Sequence, residues 1–106
     1  MAECRVKVLR RMVVPDLADE YIGNSVGPCP LLSDGQEFVV SSSLEKPQGF
    51  CDWAWNDILK FVAVLSRGGN FSQDIFEGWM KDNDSMIACC TDGVRPVVFE
   101  IKRLQS

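Results

Sequence analysis

Histidine is absent from this 106-residue sequence. Because imidazole is the side chain that titrates near neutral pH, its absence removes the usual general base. Ser-His-Asp and Cys-His nucleophilic machinery is excluded, and so are zinc sites with histidine ligands. Chemistry in this chain is therefore left to thiols, carboxylates, Lys, Arg and the backbone.

Positive charge is also scarce, since 11 Lys and Arg residues face 15 Asp and Glu residues and the net charge is −4. A phosphate backbone is repelled by such a chain, so we expect no nucleic-acid binding. Six of the basic residues lie near the two ends of the chain. We interpret them as the solvated face of two neighbouring strands rather than as an anion-binding patch: Arg5, Lys7, Arg10, Arg11, Lys102 and Arg103.

Long apolar runs are missing as well. The richest stretch, residues 53–65, contains Asn56, Asp57 and Lys60 and is too short to span a bilayer. The first seven residues carry charges where a signal peptide has its apolar segment. We therefore expect a single domain in the cytoplasm with no membrane association, where a reducing environment and an odd number of cysteines disfavour a disulfide framework.

The apolar pattern predicts an α+β fold with the element order β-α-β-α-β-β. Residues 4–13 and 37–41 alternate as strands, and residues 86–104 indicate a C-terminal β-hairpin. Residues 15–22 predict a short helix that buries Leu17 and Tyr21, with Ala18 as a further candidate for its inner face. The whole predicts a small, mostly antiparallel sheet covered by one main helix.

The main helix is predicted from Asp52 to Arg67, with the Asp52 carboxylate as a candidate cap for its first turn. A helical stripe of apolar residues marks the face that packs on the sheet: Trp55, Ile58, Leu59, Val62 and Leu65. Residues 70–78 are compatible with either a short helix or a surface loop. Trp53 lies about 200° from Trp55 around the helix axis, so the two indoles cannot share a face.

The predicted hairpin has Asp92-Gly93 as a two-residue type I′ turn, a conformation that needs positive φ at both positions. That register pairs Cys90 with Arg95 and Cys89 with Pro96. Because proline has no N–H to donate, Pro96 favours an edge strand or a bulge. Adjacent side chains of a strand point to opposite faces, so one thiol of the Cys89-Cys90 pair is expected to face the core.

Five cysteines are the reactive groups that the chain does contain. Cys29 lies between two prolines in a stiff loop, and Cys51 lies at the N-terminal end of the main helix, where the helix dipole favours a thiolate. These residues and the Cys89-Cys90 pair are either small packed side chains or members of one thiol site. Cys4 opens a strand and is interpreted as structural.

Several short motifs together resemble a family of short, uncharacterised prokaryotic proteins of about this length. The motifs extend over nearly the whole chain: Gly27-Pro28-Cys29-Pro30, Gly35-Gln36-Glu37-Phe38, Gly49-Phe50-Cys51-Asp52-Trp53-Ala54-Trp55, Gly68-Gly69-Asn70-Phe71 and Cys89-Cys90-Thr91-Asp92-Gly93-Val94-Arg95-Pro96-Val97-Val98-Phe99. The resemblance implies an intracellular domain with no catalytic residues assigned. It also implies a motif centred on Cys29, Cys51, Cys89 and Cys90, and it leaves Cys4 outside.

We therefore expect a small binding module with a cysteine-lined site, which takes a soft metal or a small ligand. Four thiolates at Cys29, Cys51, Cys89 and Cys90 suit zinc or an iron–sulfur cluster, although the chain has no Cys-x-x-Cys spacing.

Two alternatives stay open beside this binding module. One is a protein-interaction or homodimerisation module that uses the exposed side of the Trp-rich helix or an edge strand at Pro96. The other is a thiol enzyme or redox carrier, with Asp52, Asp92 and Arg95 as its polar partners. The sequence favours binding over catalysis.

Overall fold

A computed structural model describes residues 1–104 of the chain. It has the predicted α+β architecture and element order, with one added turn of 3-10 helix at Asp74–Phe76 in the segment that the sequence left open. The strands and helices are β1 (Cys4–Arg11), α1 (Pro15–Tyr21), β2 (Glu37–Val40), α2 (Asp52–Ser66), β3 (Ser85–Cys89) and β4 (Val97–Arg103).

The four strands form one antiparallel sheet in the order β2-β1-β4-β3. Alternation along β1 places Cys4, Val6 and Val8 in the core, as the sequence predicts. Arg5 lies opposite Lys102 on the other face, so the terminal basic residues do lie on neighbouring strands. Arg5 donates to the Glu100 carboxylate at 2.7 Å, which makes this face of the sheet a partly exposed ionic surface.

Helix α2 covers the face of the sheet opposite to this ionic surface. Ile58, Val62 and Leu65 of the predicted stripe are fully buried. Phe50 lies in the loop just before α2, and its ring packs edge-on against Phe38 with ring centroids 4.9 Å apart. The fold is thus two layers deep, and its core lies between α2 and the sheet. Within residues 1–104 no helix has the length and apolar content that crossing a membrane requires.

Four local expectations were wrong. In α1 only Ala18 is buried, while Leu17 and Tyr21 are 39% and 72% exposed. The one buried residue of α1 is the small Ala18, so the larger apolar side chains of this helix stay at the surface. Asp52 does not cap α2 either: Cys51 occupies the N-cap position with no side-chain cap, and Asp52 pairs with Lys46 at 2.8 Å.

The third correction concerns the hairpin, whose predicted register is shifted. Cys89 lies opposite Val98, not Pro96, and residues 90–96 form a longer connection. Neither Asp92 nor Gly93 has positive φ, so a type I′ turn does not form. The Asp92 side chain accepts hydrogen bonds from N–H groups after it, which stabilises a wider loop in place of a two-residue turn.

Pro96 does not lie on an edge strand. It precedes β4, which lies between β1 and β3, and the edges of the sheet are β2 and β3. The Pro96 carbonyl accepts a hydrogen bond from Met12 N at 2.9 Å. Pro96 therefore pairs through its carbonyl, a contact that needs no N–H from the proline. The expected bulge occurs in β1 instead, between Val8 and Arg10.

Candidate functional site

Three of the five thiols line one cavity of about 440 Å³. The cavity lies where the loop before β2, the first turns of α2 and the β3–β4 connection meet. Its lining consists of Cys29, Leu31, Leu32, Cys51, Trp53, Ala54, Asp57, Cys90, Thr91, Asp92, Arg95 and Val97. The sequence placed thiols in three separate segments, and the fold brings these segments to one place.

Cys29 is positioned by an arginine of β1. Arg11 donates from Nη1 to the Cys29 carbonyl at 3.1 Å and from Nε to the Asp34 carboxylate at 3.0 Å. The same carboxylate accepts the Arg11 backbone N–H. Charge-assisted bonds of this kind are stronger than neutral ones, so they fix the proline-flanked loop against the end of the strand.

Cys51 is held by the loop that leads into α2. Its carbonyl accepts the Trp55 N–H at 2.9 Å, the first bond of the helix. Lys46 donates to the Phe50 carbonyl at 2.8 Å and also pairs with Asp52, which ties the loop to the helix start. The thiol therefore lies at the positive end of a 15-residue helix, as the sequence predicts.

Cys90 continues the line of β3 for one residue beyond the strand. Its N–H donates to the Val97 carbonyl at 3.1 Å, and its Sγ accepts the Val97 N–H at 3.3 Å. This reciprocal pair closes the β3–β4 connection and directs the sulfur toward the cavity. It also explains why Cys90, and not its neighbour Cys89, belongs to the site.

Asp57 of α2 binds the β3–β4 connection. Its carboxylate accepts the Thr91 backbone N–H at 2.9 Å and the Thr91 hydroxyl at 3.1 Å. The interaction links two walls of the cavity and occupies both carboxylate oxygens. Sequence reasoning missed Asp57, although it follows Cys51 and Ala54 at intervals of three residues, the spacing that places side chains along one side of a helix.

Asp92 and Arg95 form the polar end of the cavity. Asp92 Oδ1 accepts the N–H groups of Val94 and Arg95, each at 2.9 Å. The N–H of Arg95, followed by that of Val94, lowers the pKa of the Asp92 carboxyl from its usual value. Arg95 Nε lies 3.6 Å from Asp92 Oδ2, an ion pair that involves one of the three guanidinium nitrogens.

The remaining wall is apolar and opens to solvent. Leu32, Ala54 and Val97 are buried at its base, whereas Trp53 and Leu31 are 82% and 63% exposed at its mouth. Large exposed apolar side chains at the rim of a concave site are typical of ligand-binding surfaces.

Of the predicted site residues, the fold brings Cys29, Cys51, Cys90, Asp92 and Arg95 to the cavity. Two other predicted site residues lie outside the cavity. Cys89 is on the exposed face of β3, and the Asp52 side chain is in solvent, paired with Lys46. Cys4, interpreted as structural, is fully buried and its Sγ contacts the Val62 carbonyl at 3.9 Å. Burial raises the pKa of the Cys4 thiol, and the charge of Arg103 partly opposes this shift.

The described part of the chain contains no group of three or more Cys, Asp or Glu side chains arranged to hold a metal ion. All five cysteines are free thiols. The predicted four-thiolate site for zinc or an iron–sulfur cluster therefore has three candidate ligands around one cavity but no ready coordination geometry.

Comparisons with protein-family models, curated proteins and solved structures give no match to this chain.

Proposed function

We propose that this protein is a small binding module whose ligand occupies the cavity lined by Cys29, Cys51 and Cys90. The carrying observation is that three segments far apart in sequence meet around one concave, largely apolar space. Each segment is fixed by its own hydrogen bonds, so the cavity is formed before any ligand binds. A pre-formed apolar cavity with a few convergent polar groups is the usual form of a small-molecule site.

Binding is favoured over catalysis because the carboxylates at the site already have partners. Asp57 accepts from Thr91, and Asp92 accepts from two backbone N–H groups. A thiol nucleophile is often activated by a neighbouring histidine, and the chain has no histidine. A small organic ligand is favoured over a soft metal, because the described thiols lack a coordination geometry.

A fragment screen by NMR tests this proposal. Uniformly 15N-labelled protein is titrated with a panel of small organic compounds of different charge, and backbone shifts are mapped along the chain. We expect binders whose shifts concentrate at the thiol-bearing lining of the cavity. Absence of any binder at this lining, or binding that concentrates elsewhere, contradicts the proposal.

A variant at the mouth makes the test specific. Leu31→Trp adds bulk at an exposed position of the rim and leaves the core untouched, so we expect it to weaken binding at least about tenfold. Leu17→Trp is the matched control, since Leu17 is also exposed but lies on α1. Titration of the same sample with Cd²⁺ addresses the metal alternative: a stoichiometric thiolate-to-metal absorption band shows that the sulfurs can converge.

The proposal also includes a cytoplasmic location and membership of the family of short prokaryotic proteins described above. Free thiols at the site are typical of a reducing compartment, which supports the cytoplasmic location. The family motifs coincide with the segments that carry Cys29, Cys51 and Cys90, which supports the family membership.

A further inference from the structure

We infer that the ligand of this cavity is an organic anion with an apolar body, whose charged group binds Arg95. The inference rests on the proposed function and adds the chemical class of the ligand. Its starting point is that Arg95 is the one cationic residue in the cavity lining. Its side chain is 40% exposed, and it also borders a neighbouring cavity lined by Ile22, Val26 and Val94.

Arg95 has hydrogen-bond donors without a partner among residues 1–104. Its Nε pairs with Asp92, but within residues 1–104 no hydrogen-bond acceptor is paired with either of its Nη atoms. A guanidinium held through one nitrogen presents the other two as a planar fork, which matches the two oxygens of a carboxylate. The ion pair with Asp92 holds the side chain beside the cavity lining and leaves this fork unused.

The two carboxylates give the lining a formal excess of one negative charge, since Asp57 and Asp92 face one Arg. Most of their oxygens already have partners, however. Asp57 accepts three hydrogen bonds from Thr91, Asp92 Oδ1 accepts two backbone N–H groups, and Asp92 Oδ2 forms an ion pair with Arg95 Nε at 3.6 Å. The unused hydrogen-bonding capacity of the site is therefore mainly that of a donor, which an anionic ligand satisfies and a cationic ligand does not.

The start of α2 acts in the same direction. Cys51, Trp53 and Ala54 bring the first turn of the helix to the cavity, and its N-terminus has no side-chain cap. The helix dipole there favours negative charge. The rest of the lining includes three thiols and the buried Leu32 and Val97, a soft, polarizable surface on which an aromatic or branched body packs well.

Three probes with one body and different charge test the inference. The probes are 1-naphthoate, 1-naphthamide and 1-naphthylmethylammonium, and each is titrated into 15N-labelled protein. We expect the anion to bind about tenfold more tightly than the neutral amide and the cation to bind more weakly than either, with shifts at the lining of the cavity.

The outcomes separate the inference from the proposed function. Equal affinity of all three probes at the cavity, or tightest binding of the cation, overturns the anion inference and leaves the binding module intact. Failure of every probe and of the fragment panel to reach the cavity overturns both. Tightest binding of the anion at another surface overturns the assignment to Arg95.

Variants at Arg95 complete the test. We expect Arg95→Gln to abolish the preference for 1-naphthoate over 1-naphthamide while the amide binds as before, which also shows that the cavity is still folded. Arg95→Lys is expected to keep part of the preference, because it keeps the charge but not the planar fork. Arg10→Gln is the matched control, since it removes an exposed arginine that is not part of the lining.

Discussion

Arg103 joins the end of β4 to two other parts of the chain. Its Nη1 donates to the carbonyls of Leu65 and Gly69 at the end of α2, each at 2.8 Å. Nε and Nη2 bind the Asp84 carboxylate, and Nη2 also donates to the Asn83 carbonyl. The sequence gives no sign of this role, because it depends on three segments that meet only in the folded state.

The first prediction concerns this arginine. Arg103→Lys keeps the charge but loses the five-donor fork, so we expect the free energy of unfolding to fall by about 2 kcal/mol. Urea denaturation followed by tryptophan fluorescence measures it. Lys102→Gln is the control, because the ion pair of Lys102 within residues 1–104 is an exposed one with Asp82, and its loss is expected to cost less than about 1 kcal/mol. Equal effects of the two variants contradict the prediction.

The second prediction concerns the pH dependence of Asp92. Backbone N–H donors stabilise its charged form and lower its pKa in the folded state. Its contribution to stability is therefore complete above the ordinary aspartate pKa of about 3.9 and is lost as the pH falls through the lower folded value.

We expect Asp92→Asn to reduce the free energy of unfolding by about 0.5 kcal/mol at pH 7, a small value because the carboxylate is partly exposed. The difference from the unmodified protein should shrink toward zero as the pH falls below the ordinary aspartate pKa and through the lower folded-state pKa of Asp92. Denaturant titrations between pH 2 and 7 measure this, with Glu45→Gln as a control for the removal of one exposed charge. A difference that stays constant across this range is the contrary result.

At the scale of elements, helix α2 and strand β1 were predictable because their side-chain periods are local. A helix repeats every 3.6 residues and a strand every two, so the spacing of apolar residues predicts which face of each element is buried. The short helix α1 was misread because its pattern exposes several apolar residues, and only the tertiary contacts select Ala18.

The third prediction tests the buried stripe of α2. Ile58→Ala removes a fully buried side chain and leaves a cavity, so we expect a loss of about 3 kcal/mol in unfolding free energy. Leu59→Ala, at the half-buried neighbouring position, is expected to cost about 1 kcal/mol. Thermal unfolding monitored by circular dichroism measures both. Equal losses at the two positions would show that the helix face is assigned wrongly.

The fourth prediction concerns the end of α2. A Cβ at Gly69 would lie 2.6 Å from Val64 Cγ1 and 3.0 Å from the Val64 carbonyl oxygen. We therefore expect Gly69→Ala to cost about 2 kcal/mol of unfolding free energy. Gly27→Ala is the control, because open space surrounds that position.

A double variant identifies the cause of this cost. Val64→Ala removes the Cγ1 atom, so in this background Gly69→Ala should cost clearly less than it does alone. Chemical denaturation of the four proteins gives the coupling free energy. Strict additivity of the two substitutions contradicts the steric explanation.

At the scale of the whole molecule, the fold sorts the five thiols into three environments. Cys4 lies in the core, Cys89 on the exposed face of the edge strand β3, and the other three around the cavity. Reactivity toward an alkylating reagent depends on exposure and on thiolate content.

The fifth prediction is the order in which iodoacetamide modifies these thiols at pH 8. We expect Cys89 to react first, the cavity thiols next, and Cys4 only when the protein unfolds, because Cys4 has no exposed surface and burial raises its pKa. Time-resolved peptide mass spectrometry measures the order, and the unfolded chain in denaturant provides the reference rates. Modification of Cys4 as fast as Cys89 in native buffer contradicts the assignment.

The sequence by itself determined the α+β class, the order of elements, the buried faces of β1 and α2, and the exclusion of histidine chemistry, because these follow from composition and from local periodicity. Only the tertiary structure decided which thiols share a cavity, that Cys90 and not Cys89 is among them, and that Asp57 lines it with them. The physical reason is that a cavity is defined by the packing of segments distant in the chain, and its position depends on strand register and loop conformation, which a short-range pattern does not encode.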